Sequence, residues 1–192
     1  AFDRLDDAPD HLFYQDPRLV QHLDDVAIDR VRRLYSRFVK DDMRVLDLLA
    51  SWQSHMPQQS TPARVSGIGL NERELRENPD LTDFQVQDLN RQPTIAFPDN
   101  YFDVALCTAS IEYLVNPGAV YAEVARTLRP GGVFVVTFSN RWFEPKAISV
   151  WKEIHEFERM GLVLEYFRRS GRFTALATTS LRGLPRPRND RY

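Results

Sequence analysis

With 192 residues, 27 Asp and Glu against 25 Lys and Arg, and 43% hydrophobic residues, the chain has the composition of one globular domain that buries its own core. Its net charge of -2 gives no electrostatic footing for nucleic acid, and no apolar run is long enough to span a bilayer. A single cysteine, Cys107, excludes an internal disulfide, and the four histidines show no metal-ligand spacing; with no signal-peptide pattern at the start, a cytoplasmic protein without a bound metal is expected.

The opening stretch to about Pro17 is rich in Asp and lacks periodicity, so it is expected to lie over the surface or fray. Leu19, Leu23, Ala27, Val31, Leu34 and Phe38 recur at three- and four-residue spacing and predict an amphipathic helix. Met43 to Leu49 is the first predicted strand, and Ala63 to Ile68 the second. Asn71, with Glu74 three residues on, reads as the N-cap of a short helix that stops by Pro79. Phe84 to Gln87 forms a third strand that delivers Asp88, Leu89 and Asn90, and Phe102 to Cys107 a fourth. Asn116-Pro117 opens a helix with Val120, Tyr121, Val124 and Leu128 on one face, and Pro130-Gly131-Gly132 turns the chain into a fifth strand ending at Ser139-Asn140. Two helical segments follow, marked by Ala147, Val150, Trp151 and Ile154 and then by Val163, Tyr166 and Phe167. Phe173 to Ser180 is a predicted sixth strand, and residues 181–192 a loose tail.

Strands alternating with helices predict an α/β single domain over residues 1–192: a helical segment to about residue 40, then a doubly wound parallel sheet from about 43 to 180. The expected order is 3-2-1-4-5, with the sixth strand beside the fifth and too little chain left for a seventh. A ligand on such a sheet lies at the carboxyl ends of the strands, where the order reverses.

Two stretches carry a more specific signal. Val45-Leu46-Asp47-Leu48 is an apolar strand ending near an acid. Phe97 to Val104, with Glu123 to Leu128 running into Arg129-Pro130-Gly131-Gly132, supplies a second pattern at a matching distance. From Arg44 to Asn140 the chain resembles the class I S-adenosylmethionine-dependent methyltransferases, with their Rossmann-like sheet. Ser51-Trp52-Gln53-Ser54-His55-Met56-Pro57 further resembles a subgroup with a serine–tryptophan–histidine loop where glycines are usual.

The resemblance implies S-adenosyl-L-methionine as cofactor, in a site altered at two of its three usual contacts. Where a glycine loop passes under the cofactor, this chain has Leu49, Ala50, Ser51 and Trp52. Where the second strand ends in an acid for the ribose hydroxyls, it has Gly69, followed by Leu70 and Asn71. Asp88 matches the acid that meets the adenine amino group, with a backbone donor at Leu89, and Thr108 and Ala109 close the cofactor side. Modest affinity is therefore expected, with Glu72 as a substitute for the missing ribose acid. Asp47 either contacts the methionine amino group or caps a neighbouring loop; Asn71 has a helix-capping role in any case, and Trp52 reads as a core or lid residue.

Methyl transfer asks mainly for alignment of the nucleophile, with a base when that nucleophile is a hydroxyl. His55 is the candidate base near the ligand edge, beside the reading of a merely solvated loop histidine. Ser110, Glu112 and Tyr113 after the fourth strand, and Ser139, Asn140 and Arg141 after the fifth, are the candidate substrate contacts for a small-molecule acceptor. The competing reading is a non-catalytic descendant that keeps the fold for binding or assembly. A nicotinamide-dependent dehydrogenase falls behind both, because no Gly-x-Gly-x-x-Gly turn follows the first strand.

Overall fold

The structure is a computed structural model and describes residues 1–181. Strands β1 (Arg44–Leu48), β2 (Arg64–Gly69), β3 (Asp83–Val86), β4 (Phe102–Thr108) and β5 (Leu128–Thr137) form one sheet in the order β3-β2-β1-β4-β5. Every pairing is parallel, with Val45 beside both Val65 and Val104 at the centre.

Side chains alternate across this sheet with the two-residue period of a pleated strand. Leu46, Leu48, Ala105, Cys107 and Phe134 face one layer, where α4 (Pro117–Thr127) and α6 (Glu156–Ser170) bring Val120, Tyr121, Val124, Val163 and Tyr166. Val45, Val65, Val104, Leu106 and Val135 face the other, under Tyr35 of α2 (Asp25–Tyr35) and Val39 just beyond it. The fully buried side chains of Trp151, Tyr121, Tyr35 and Phe102 each contribute about 1.5–3 kcal/mol by leaving water.

The predicted caps are present. The Asn71 side chain accepts from Glu74 N at the start of α3 (Glu72–Glu77), and Asn116 accepts from Ala119 N ahead of Pro117. The first long helix is shorter than its apolar spacing predicts: Asp24 accepts from Ala27 N and starts α2 there, leaving Leu19 and Leu23 in the preceding loop. Pro130-Gly131-Gly132 lies within β5 rather than before it. The register against β4 shifts between Phe102 and Val104, and Gly131 takes φ +79 in the resulting bulge.

One further expectation is corrected. Phe173 to Ser180 forms no strand; Ala175 turns left-handed at φ +51, residues 174–180 are exposed, and only Phe173 packs inward, on Phe134 and Phe167. The opening segment takes the first of its two expected readings and lies over the surface, where a buried ion cluster keeps it from fraying. Arg4 Nη1 binds Asp10 Oδ1 at 2.7 Å, and the fully buried Lys146 Nζ lies 3.2 Å from Asp10 and 3.1 Å from Asp6. That ammonium also donates to the carbonyls of Asp6 and Ala8. The short helix α1 (Asp10–Phe13) is held there, while α5 (Ser149–Glu153) receives the chain start, with Ser149 N and Val150 N donating to the carbonyls of Asp3 and Ala1. The tail from residue 182 lies outside the described residues.

Candidate functional site

The carboxyl ends of all five strands open onto one cavity of about 520 Å³. Its size falls in the range of small-molecule sites.

The loop after β1 sets its floor. Leu49 turns left-handed at φ +55, Ala50 N donates to the Ile68 carbonyl at 2.8 Å, and the loop crosses over the end of β2. A β-carbon on Gly69 would lie 2.2 Å from the Ala50 carbonyl oxygen. Gly69 is therefore the residue the crossing demands, and an acid there is incompatible with this loop path. The rest of the loop is tied down: Asn78 donates to Ser51 O and Ser54 Oγ, Ser51 Oγ donates to Glu74 Oε2 at 2.7 Å, and Trp52 Nε1 donates to Val20 O. Leu49, His55 and Ala109, three of the six non-glycine residues at positive φ among the described residues, line the cavity. Such strain persists only where surrounding structure over-determines it, and it concentrates at functional sites.

Of the residues singled out from sequence, Asp47, Leu49, Ala50, Ser51, Trp52 and His55 line the cavity from the β1 side. Gly69, Leu70 and Asn71 follow from β2, Asp88 and Leu89 from β3, Thr108, Ala109, Ser110 and Tyr113 from β4, and Ser139 and Arg141 from β5. Asn140 does not join them; it is exposed where the chain turns so that Arg141 N can donate to Ser139 Oγ. Glu112 is fully buried behind the wall and is not a lining residue. Glu72 is likewise absent, since it is exposed and paired with Arg76.

Several of these groups already have structural partners. Asn71 donates to the carbonyls of Tyr14 and Gln15 besides capping α3. One Asp88 oxygen accepts from Asn90 N, and Thr108 Oγ1 lies 2.5 Å from the Tyr35 hydroxyl. Tyr113 accepts at its hydroxyl from Phe143 N at 2.8 Å. Asp47 points to the α2 face, where burial raises its carboxyl to about 7, with a hydrogen bond from Ser54 working the other way.

Periodicity missed a second wall altogether. Asp10, Tyr14, Arg18 and His22 from the anchored opening segment line the cavity, with Glu74, Trp142 and Phe143. Glu74 accepts from Arg18 N at 2.7 Å as well as from Ser51. Burial opposes ionisation of Asp10, but Arg4, Asn90 and Lys146 together hold it below the usual carboxylate range. Burial also lowers His22 and His55, disfavouring their charged forms, and His55 Nδ1 is buried without a partner. The one available signal was residue chemistry: Tyr14, Arg18 and His22 stand close together just ahead of the first apolar helix.

A parallel sheet in this order, with one cavity across its carboxyl edge, defines the Rossmann-like methyltransferase fold. Residues 51–136 match the family model described as "Methyltransferase domain". The ubiquinone/menaquinone biosynthesis C-methyltransferase UbiE of Cupriavidus metallidurans is 26% identical over 154 residues, covering 71% of this chain and 61% of that one. The enzyme of the same name from Burkholderia cenocepacia is 43% identical over 116 residues, covering 54% of this chain and 46% of that one. Among solved structures, a Bacillus halodurans protein assigned to the methyltransferases aligns with a TM-score of 0.56 at 19% identity, over 76% of this chain and 68% of that one. The chain spans less than two thirds of the length of these curated relatives. No helix among the described residues is long and apolar enough to cross a membrane.

Proposed function

We propose that this chain transfers a methyl group from S-adenosyl-L-methionine to a small molecule, and that the Leu49–His55 loop is a binding solution of its own rather than a decayed glycine loop. The observation that carries this reading is the crossing over Gly69. The loop turns toward β2 and is fixed by Asn78 and Glu74, so bulky residues replace glycines while the cavity beside them stays open. A decayed loop has no reason to keep two left-handed residues, Leu49 and His55, beside that opening.

The lining suits the cofactor. Asp88 offers a carboxylate oxygen to hydroxyl and amino donors, and Leu89 adds an apolar side. When bound, S-adenosylmethionine supplies an electrophilic methyl group. The chain's own residues align the acceptor along Tyr113, Ser110, Ser139 and Arg141, exclude water with Trp52 and Trp142, and take up a proton at a neutral imidazole, His55 or its missed neighbour His22. The absence of an acid at Gly69 predicts modest affinity. One buried free cysteine, Cys107, fits a reducing compartment, the cytoplasm.

Calorimetry and thermal melting with S-adenosylhomocysteine test the reading. At a hundred times its dissociation constant the ligand adds about 2.7 kcal/mol. Asp88→Ala weakens that binding while leaving the unliganded melting temperature nearly unchanged. No heat and no melting shift at millimolar ligand would retire the enzyme in favour of a binding module.

A further inference from the structure

The opening segment leaves two hydrogen-bond donors in the cavity wall without acceptors. Arg18 donates through Nη2 to the Phe13 carbonyl at 3.0 Å, but Nη1 is buried with no partner. The Tyr14 hydroxyl is buried and unpartnered as well. Arg18 forms no ion pair among the described residues; rings surround its charge instead, with the guanidinium carbon 4.5 Å from the Phe13 ring centre, 5.0 Å from Phe143 and 5.4 Å from Tyr14.

Aromatic faces stabilise a cation only in part, and a buried donor without an acceptor is a standing cost. The nearby carboxylates are committed elsewhere. Asp10 serves Arg4, Lys146 and Asn90, and Glu74 serves Ser51 and the backbone of residue 18. Arg18 is thus a charge whose counter-ion the protein does not supply, set among flat rings at one end of the cavity.

We propose that Arg18 and Tyr14 receive the carboxylate of the methyl acceptor, and that the acceptor class is a planar aromatic or conjugated carboxylic acid. Two donors on neighbouring residues match the two oxygens of one carboxylate, and a charge-assisted bond to guanidinium is about twice as strong as a neutral one. Phe143 and Tyr113, stacked at 6.0 Å with a 29° interplanar angle, supply the surface for a flat body. Both donor atoms are shut off from water by the surrounding rings, and the acid takes the contacts that no protein group fills. The assignment of this acid as methyl acceptor rests on the methyl-transfer reading; the anion site does not.

The test is calorimetric titration with trans-cinnamate, its neutral amide and phenyl phosphate, each with and without S-adenosylhomocysteine. Wild type is expected to bind cinnamate at least tenfold more tightly than the amide or the phosphate. Arg18→Gln should erase that preference, Arg18→Lys should keep part of it, and Tyr14→Phe should reduce it several-fold. Circular dichroism checks folding, and if Arg18→Gln fails to fold, the Lys and Phe variants carry the comparison. Equal affinity for acid and amide, no binding of cinnamate, a preference for the phosphate, or a preference unmoved by Arg18 substitution overturns the proposal. S-adenosylhomocysteine binding without cinnamate preference removes this inference alone. Cinnamate preference without S-adenosylhomocysteine binding keeps the anion site and removes the methyl-transfer reading.

Discussion

Gly69 and Ala50 exclude one another's alternatives: the Ala50 carbonyl occupies the space in which any side chain on Gly69 would begin. The bare backbone at the end of β2 and the path of the loop after β1 are therefore one structural feature. Restoring the acid alone, as Gly69→Asp, is expected to cost about 2–3 kcal/mol by overpacking against backbone. Urea unfolding gives the cost, and S-adenosylhomocysteine titration should show no gain. An unchanged midpoint with tighter binding would mean that the loop moves aside readily.

Glu112 predicts a pH dependence. It is fully buried, neither carboxylate oxygen has a partner, and burial raises its carboxyl to about 8 although Arg159 draws it down. A raised carboxylate means that the folded protein holds a proton the unfolded chain releases. Its contribution is therefore fully present below the ordinary glutamate range near 4.5 and is lost as pH rises through about 8. Glu112→Gln, neutral at every pH, should flatten the decline in stability between pH 5 and 8 and exceed wild type at pH 8. Denaturation midpoints across that range decide it; parallel curves for the two proteins would contradict the assignment.

Lys146 makes the opening segment a fixed wall. Lys146→Ala leaves Asp6 and Asp10 without their buried ammonium, and removing one partner of such a pair costs about 3–5 kcal/mol. Limited proteolysis should then cut among residues 1–18 well before the sheet, and cinnamate binding should fall with it. Retention of protease resistance would show that Arg4 and Asp10 suffice as the anchor.

The sheet was legible because local signals and tertiary structure agree in it. Val45, Leu46 and Leu48, or Val104, Leu106 and Cys107, are apolar wherever the strand is buried, and Asn71 and Asn116 cap helices by contacts within three residues. Most of the cavity's strand-end lining was legible too, because the order 3-2-1-4-5 brings those residues to one edge. The opening segment was not legible. Its order comes from Lys146, Asn90 and Glu74, far away in sequence, and ion clusters and aromatic contacts have no period. Phe173 to Ser180 misled for the opposite reason: its residues are strand-like, yet from residue 174 they stay exposed and leave the outer edge of β5 unpaired.

The Glu74 carboxylate joins residues 18, 51 and 74, three stretches that otherwise belong to different parts of the chain. A substitution that shifts residue 18 also pulls on Ser51 and its loop, through a single side chain. Under the proposed methyl-transfer reading, acceptor preference and cofactor affinity are coupled through Glu74, so a change at residue 18 is expected to move both.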